Sequence, residues 1–266
     1  MPDLQAPLLA DSVTKLGAEA VGRVVVSGSH GGTYAAWAAC KAGCRAVILH
    51  DAGVGLDGAG IGGLLYLEKL GMAAAAVDHT SAPIGQAARM LDSGRISHAN
   101  DRARDCGVSP GMPCAEAAAR LAAAPMQTYD CPVVAEAREV LTPDGARRAL
   151  VLVDSASLVL PEDAGRIVVT GSHGALFGSD PMNAIKADAF LALFNDAGGG
   201  PGTGRLPVLE TRGVAAATVA AGSARIGEAR STWQDGIISA ANARARALGA
   251  RPGIGARELV ARALEA

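Results

Sequence analysis

Gly-Arg-Val-Val-Val-Ser-Gly-Ser-His-Gly, residues 22–31, occurs twice in this chain with only two changes. Residues 165–174 are Gly-Arg-Ile-Val-Val-Thr-Gly-Ser-His-Gly, so His30 recurs as His173, 143 residues later (173 − 30). Each copy is a β-branched run that leads directly into a glycine-flanked Ser-His turn. This pattern is typical of a buried strand that ends at a closely packed loop. The motif therefore predicts a duplicated architecture with a site at the end of a strand.

The repeat extends well beyond this motif. Residues 11–121 match residues 154–264, with small changes of spacing where one copy has an insertion or a deletion. Asp51-Ala52-Gly53, for example, recurs as Asp196-Ala197-Gly198, and Asn100 recurs as Asn242. We therefore predict two superposable halves, residues 1–125 and 149–266, related by a pseudo-twofold axis.

Within one copy, apolar runs alternate with helical patterns. Strands are expected up to Asp11-Ser12 and over residues 23–26, 46–49 and 72–77, with helices filling the rest of the copy. One helix should span residues 33–42 and end at Gly43, and Ser179-Asp180-Pro181 should begin its counterpart. The strands are apolar along their whole length. This predicts an α/β fold with a mainly parallel or mixed sheet covered by helices on both faces.

Residues 126–148 belong to neither copy. Val133–Leu141 and Ala146–Val153 flank Thr142-Pro143-Asp144-Gly145, in which proline fixes φ and glycine suits a left-handed position. We predict a connecting β-hairpin whose second arm is the first strand of the second copy. Such a hairpin is compatible with one continuous mixed sheet.

Composition excludes several classes of protein. With a net charge of −2 and 3% aromatic residues, the chain has neither the basic face nor the stacking side chains of a nucleic-acid binder. No apolar run is long enough to span a bilayer, and the first residues do not resemble a signal peptide. None of the five cysteines forms a Cys-x-x-Cys pair, which favours buried free thiols. We expect a soluble cytoplasmic protein that acts on a small molecule, and the sequence leaves a homo-oligomer open.

The carboxyl ends of parallel strands gather the polar residues at one edge, where ligands bind in such sheets. The candidate catalytic residues are His30, His50, Asp51, His79 and Ser29 in the first copy, and His173 and Asp196 in the second. The candidate substrate-binding residues are Gly28, Gly31, Asp11, Ser12, Gly171, Ser172, Gly174, Asp154, Ser155, Asn195 and Arg225. The turn is neither a P-loop nor a dinucleotide fingerprint. For the histidines and aspartates, the alternative is a purely structural role in holding the turns.

The two copies differ at three of these positions. His50 is replaced by Asn195, and Asp78-His79 by Ala220-Ala221. The first copy therefore keeps more titratable groups, whereas Arg225 of the second copy could clamp a carboxylate. This asymmetry predicts that the first copy carries catalysis and the second holds the substrate.

The leading functional hypothesis is hydrolysis of an amide or related C–N bond in a small polar metabolite. Histidine with aspartate would supply acid–base catalysis, and the glycine-rich turn would supply N–H donors to an oxyanion. Ser27 or Ser29 could instead be a nucleophile. The alternatives are a two-base racemase or isomerase and a non-enzymatic small-anion binding protein. No cofactor is predicted, although His30, His50, Asp51 and His79 leave a divalent metal open without matching a zinc or iron signature.

Overall fold

The computed structural model describes residues 6–126, 128–178 and 180–266. Within them the chain divides into two units. The first holds the residues up to Ala135 except Gly55–Asp57, which belong with Glu136–Ala266 in the second. Each unit has its own sheet, so the copies do not share one continuous sheet.

The described part of the first unit contains a five-stranded sheet in the order β1-β2-β3-β4-β5. Its strands are β1 Leu8–Ala10, β2 Val24–His30, β3 Ala46–His50, β4 Ala73–Val77 and β5 Ile96–Ala99. The first four strands are parallel, and β5 runs antiparallel to β4. The mainly parallel sheet is thereby confirmed. Two details differ from expectation: β5 lies where only helices were predicted, and β2 continues through the Ser-His turn.

Helices cover both faces of this sheet. They are α1 Thr33–Lys41, α2 Gly62–Lys69, α3 Ala87–Ser93, α4 Asp101–Asp105 and α5 Cys114–Leu121. Val25 and Val47 pack in the core under α1 and α2, whereas Val24 and Ile48 pack in the core under α3, α4 and α5. Neighbouring strand residues thus point to opposite apolar layers, which is why these strands are apolar throughout.

The end of α1 follows the predicted glycine cap. Gly43 has a φ of 74°, and the next amide, that of Cys44, donates to the carbonyl of Ala39 at 3.3 Å. A left-handed residue that returns an amide to the last helical turn is the glycine C-cap. It turns the chain from α1 into β3, whose end carries part of the site.

In the second unit, the described residues form a six-stranded sheet in the order β11-β10-β9-β8-β7-β6. Its elements are β6 Arg138–Leu141, β7 Leu150–Val153, β8 Ile167–His173, β9 Leu191–Asn195, α6 Arg205–Thr211, β10 Ala215–Val219, α7 Ala229–Gln234, β11 Ile238–Ala241, α8 Ala243–Ala247 and α9 Ala256–Glu265. The antiparallel pair β6–β7 is the predicted hairpin, with shorter arms than expected. None of the helices in the described parts of either unit is long and apolar enough to cross a bilayer.

The helix predicted to begin at Ser179-Asp180-Pro181 is absent from the described residues of this unit. Asp180 does cap Pro181–Asn183, but this segment is a three-residue 3-10 turn; Ser179 lies outside the described residues. Arg205 explains the difference, because its guanidinium donates to the carbonyls of Ala175 and Ala184 at 3.0 and 2.7 Å. These contacts hold the segment that replaces the helix.

The first copy has Gly63 where the second has Arg205. A Cβ at Gly63 would lie 2.6 Å from the Cβ of Ala36 in α1, so only glycine lets this helix pack closely. The same scaffold position therefore accommodates a helix in one copy and an arginine-held loop in the other.

The expectation of free thiols is wrong for two cysteines. Cys40 at the end of α1 forms a disulfide with Cys131, 91 residues later. Cys44, Cys106 and Cys114 are free, and burial raises the pKa of the Cys44 and Cys114 thiols to about 12. The repeat could not reveal this pairing, because Cys131 lies outside both copies.

Candidate functional site

The site candidates of the first copy lie at the carboxyl edge of its sheet, as their positions predict. Asp11 follows β1, His30 ends β2 and His50 ends β3. Asp78 and His79 follow β4 directly. Backbone pairing sets His30 opposite His50, after an irregularity in the register of β2 and β3.

Asp51 and His79 make the closest contact between titratable side chains at this edge. Asp51 is 2% exposed, and its Oδ1 accepts hydrogen bonds from the backbone N–H of Gly53 and of His79 at 2.9 and 3.0 Å. The His79 Nδ1 lies 3.1 Å from the same oxygen. Asp51 therefore fixes the neutral ring with its proton on Nδ1. Nε2 then carries the lone pair, has no hydrogen-bond partner among the described residues, and belongs to a side chain that is 31% exposed.

Asp78 adds a second carboxylate beside this ring. Its Oδ1 lies 3.6 Å from His79 Nδ1 and accepts both the backbone N–H and the hydroxyl of Thr80 at 2.7 Å. Burial raises the pKa of Asp78, but the Thr80 hydrogen bonds and the neighbouring histidines outweigh it and lower the pKa overall. Asp51, Asp78 and His79 offer ligand atoms that lie within 4.8 Å of one another.

His50 has a different environment from His79. It is 1% exposed, its Nδ1 accepts the N–H of Ala52 at 3.0 Å, and its Nε2 donates to the carbonyl of Ala82 at 2.9 Å. Burial lowers the pKa of His50, which keeps the ring neutral. Both ring nitrogens are thus occupied within the fold.

Asn195 makes the same pair of contacts in the second copy. Its Oδ1 accepts the N–H of Ala197 at 2.9 Å, and its Nδ2 donates to the carbonyl of Ala224 at 3.2 Å. An amide and a neutral imidazole both offer one acceptor and one donor here. His50 and Asn195 therefore hold equivalent turns.

Asp196 keeps the backbone contacts of Asp51 but has no histidine beside it. Its Oδ1 accepts the N–H of Gly198 at 3.1 Å and of Ala221 at 2.9 Å. Ala221 stands where His79 stands in the first copy, and the second copy lacks the imidazole. The carboxylate of both copies shapes the turn, and only the first copy adds a titratable partner to it.

The glycine-rich turn leaves fewer backbone N–H groups available to a ligand than the sequence predicts. The N–H of Gly31 donates to the carbonyl of His50 at 2.7 Å, and the N–H of Gly32 donates to His30 Nδ1 at 3.1 Å. In the second copy, Gly174 donates in the same way to the carbonyl of Asn195 at 2.8 Å. These amides are engaged within the turn.

The other glycines of the motif permit close packing. A Cβ at Gly28 would lie 2.7 Å from the carbonyl oxygen of Asp11, and one at Gly171 would lie 2.7 Å from that of Asp154. The equivalent distances show that both copies need glycine here to bring the turn against the neighbouring backbone.

Asp11 and Asp154 bind the backbone at equivalent places. Asp11 accepts the N–H of Ala87 at the start of α3 at 2.9 Å, and Asp154 accepts that of Ala229 at the start of α7 at 3.0 Å. Each carboxylate caps a helix that follows much later in the chain. Both carboxylates therefore stabilise the fold.

The candidate serines also bind backbone amides. Ser29 accepts the N–H of Val13 at 3.1 Å, and Ser172 accepts that of Ala156 at 2.8 Å. Ser12 and Ser155 cap the short 3-10 turns that follow them, and Ser27 accepts the N–H of Ser29. Neither Ser27 nor Ser29 hydrogen-bonds a histidine among the described residues, so the geometry shows no activated serine.

Arg225 is held by carboxylates of its own unit. Its guanidinium lies 2.8 Å from Glu228, 2.9 Å from Asp57 and 3.7 Å from Asp235. The hydrogen bonds that Arg225 donates to Glu228 and to Asp57 raise the pKa of its guanidinium. To clamp a substrate carboxylate, Arg225 would have to exchange one of these partners.

A cavity of about 520 Å³ in the first unit lies at the other edge of the sheet. It is lined by Ala73 at the start of β4 and by Arg102, Asp105 and Cys106, and it contains none of the predicted site residues. Burial and the adjacent Asp105 raise the pKa of the Cys106 thiol, so this cavity lacks a reactive nucleophile.

The site therefore centres on Asp51 and His79, with Asp78 and His30 nearby along the edge. Sequence comparison between the copies singled out Asp78 and His79, but the contact of His79 with Asp51 required the fold. Comparisons with protein-family models, with curated proteins and with solved structures find no match for this chain.

Proposed function

We propose that the protein hydrolyses an amide or related C–N bond of a small polar metabolite, with His79 as the general acid–base. The single observation that carries this proposal is the 3.1 Å contact of Asp51 with His79 Nδ1. An imidazole oriented by a buried carboxylate, with its second nitrogen available, is the arrangement used to move protons in acyl transfer.

In this mechanism, Nε2 of His79 removes a proton from water as the water oxygen attacks the substrate carbonyl carbon. The resulting imidazolium then gives that proton to the nitrogen of the leaving amine as the C–N bond breaks. Asp51 stabilises the imidazolium through Nδ1, and Asp78 adds a second negative charge 3.6 Å away. The products are a carboxylic acid and an amine.

The asymmetry of the copies supports this assignment. Asp196 shows that the turn forms with alanine at the position of His79. The turn of the second copy therefore forms without an imidazole at this position, which supports a chemical role for His79.

The decisive test is turnover of a panel of small amides, followed by amine release. His79→Ala should lower the rate of the chemical step by roughly 10²- to 10⁴-fold, the usual contribution of a positioned acid–base. His98→Ala is the matched control, because its ring hydrogen-bonds Ser97 on the antiparallel strand β5 and His98 is not one of the candidate site residues. Unchanged turnover in His79→Ala would refute the proposal. Incorporation of solvent deuterium at a substrate carbon, without consumption of water, would show that the protein is an isomerase and not a hydrolase.

A second observation favours a metal-assisted form of the same reaction. His79 Nδ1 lies 3.1 and 3.6 Å from oxygens of Asp51 and Asp78. These two separations are close to the edge of a tetrahedral zinc site, about 3.3 Å for bonds of about 2.0 Å, and all three ligand atoms lie within 4.8 Å of one another. The three side chains would hold the ion, and the ion would supply an activated water.

Zinc binding distinguishes the metal-assisted reaction from the metal-free reaction. Protein dialysed against a chelator should bind Zn²⁺ in titration calorimetry, and Asp78→Asn should weaken that binding, if the metal form is correct. Full turnover after dialysis, without zinc binding, would leave the metal-free route through His79.

A further inference from the structure

We propose that His30 is a neutral hydrogen-bond donor that binds a carbonyl or carboxylate oxygen of the ligand through Nε2–H. This inference rests on the proposed function, since it assigns the partner of the base within the same site. It differs from the general-base role that the sequence suggests for this histidine.

The contact with Gly32 sets the tautomer. The backbone N–H of Gly32 donates to His30 Nδ1 at 3.1 Å, so this nitrogen must carry a lone pair. A Cβ at residue 32 would lie 2.7 Å from both Nδ1 and Cε1, which shows how closely the ring packs on the turn. The proton of the neutral ring is therefore on Nε2.

Nε2 is the part of the ring that remains available. Nε2 has no hydrogen-bond partner among the described residues, and this atom is not fully buried. His30 as a whole is only partly buried. The donor is thus open to a ligand at the carboxyl edge of the sheet.

The surroundings keep this ring uncharged at neutral pH. Burial, and to a smaller extent the neighbouring His50 of β3, lower the pKa of His30 to about 4. At pH 7 the residue can therefore donate from Nε2 but has little tendency to accept a proton.

His30 and His79 consequently have opposite tautomers. His79 carries its proton on Nδ1 beside Asp51, whereas His30 accepts at Nδ1 from Gly32. One ring can take a proton through Nε2, and the other can only donate through Nε2. A base and a donor of this kind are the two groups that attack on a carbonyl requires.

The spacing of the strands suits a small substrate between them. β2 and β4 flank β3, and neighbouring strands lie about 4.8 Å apart, so the ends of β2 and β4 are separated by about 10 Å. Because the amides of Gly31 and Gly32 are already engaged, the imidazole of His30 takes the role expected of the turn N–H groups. The ligand must therefore present an oxygen acceptor at this position.

Long-range ¹H–¹⁵N NMR of the histidine rings tests the inference without any substrate. His30, assigned with His30→Asn, should show the Nε2–H tautomer and no titration between pH 5.5 and 9. A protonated Nδ1, or a titration near pH 6.5, would overturn the proposal. Neither result depends on whether His79 catalyses hydrolysis.

Acetate and N,N-dimethylacetamide are the probes for ligand binding. Either should shift the His30 Nε2–H resonance. His30→Asn and His30→Asp both offer an oxygen to the Gly32 N–H, but only asparagine keeps a donor. N,N-Dimethylacetamide, which is uncharged and has no N–H group to donate to the aspartate, should bind at least about tenfold more weakly to the aspartate variant than to the asparagine variant. Equal affinities in the two variants, or no shift of the wild-type resonance, would overturn the donor role.

Discussion

At the scale of single residues, position 50 and its counterpart 195 show that one of the strand-end histidines makes the hydrogen bonds of the fold itself. His50 and Asn195 make equivalent donor and acceptor contacts in the two turns. His79, in contrast, contacts Asp51 through a ring that Ala221 lacks. Residue type alone cannot distinguish the two histidines, because the difference is whether both ring nitrogens are occupied by the fold.

His50→Asn should therefore change the free energy of unfolding by less than about 1 kcal/mol, since asparagine supplies both contacts. His50→Leu should cost about 2–4 kcal/mol, because the N–H of Ala52 and the carbonyl of Ala82 would lose their partners in a buried site. Urea unfolding of both variants measures the difference. Equal destabilisation by asparagine and leucine would show that the ring shape, and not its hydrogen bonds, matters here.

At the scale of elements, a recurring asparagine connects strands to helices. Asn100 Oδ1 accepts the N–H of Ala74 in β4 and of Ala103 in α4, both at 3.0 Å. Asn242 makes the same contacts with Ala216 and Ala245, again at 3.0 Å. The recurrence is visible in the sequence, but only the structure shows that one amide caps a helix and extends a strand at once.

The sequence predicts the parallel strands well because each of them occurs twice and is apolar on both faces. It misses β5 and β11, which are only four residues long and contain half-exposed polar residues such as Ser97 and His98. It also predicts a helix where Arg205 holds a loop, since a single buried guanidinium outweighs the local propensity. These misses arise from tertiary contacts that leave no periodic pattern.

The sequence predicts the candidate site only in part, as it does the fold. The strand-end positions of His30, Asp51 and His79 follow from the order of strands and loops. Their roles do not, because the tautomers depend on hydrogen bonds with Gly32 and Asp51. Sequence patterns identify which groups share an edge, whereas the protonated nitrogen is decided by neighbouring atoms.

The disulfide should be the strongest constraint on the segment that leads out of the first unit. Cys40–Cys131 closes a loop with a sequence separation of 91. The chain-entropy model gives about 4–5 kcal/mol for such a loop, so Cys131→Ser should lower the free energy of unfolding by this order. Urea unfolding with and without a dithiol reductant measures it.

Cys106→Ser is the matched control for this experiment, since Cys106 is free and only partly buried. It should change stability by less than about 0.5 kcal/mol. Reductant should destabilise the wild type and the control but leave Cys131→Ser unchanged. A wild type that is insensitive to the reductant would contradict the stabilising role.

At the scale of the whole molecule, the duplication distinguishes the polar residues that both copies share from those that only one copy has. The residues that both copies share, such as Asp11 and Asp154, bind backbone amides at equivalent places. The residues that differ, Asp78 and His79, add titratable groups to one unit only. A duplicated scaffold can tolerate such a change because each unit has its own sheet and its own apolar layers.

The first unit should lose stability in mild acid, in part through His50, whose pKa burial also lowers, and in part through His30. Burial lowers the pKa of His30 from the usual 6.5 to about 4. Between these values the unfolded chain binds a proton that the folded unit does not, so stability falls as the pH drops through this range and is constant above it. A lowering of the pKa by about 2.5 corresponds to a loss of about 3.4 kcal/mol at most.

Urea midpoints measured between pH 7 and 4.5 test this directly. The carboxylates with lowered pKa values, such as Asp78 and Asp163, lose most of their contribution below their usual value of 3.8, and they are the same in the wild type and in the variant compared with it. His30→Asn keeps an acceptor for the Gly32 N–H but does not titrate, so its midpoint should fall less steeply with acid than that of the wild type. Parallel pH profiles for the two proteins would show that His30 is protonated as easily in the folded unit as in the unfolded chain. This result would contradict the buried, neutral state of His30 on which its role as a hydrogen-bond donor depends.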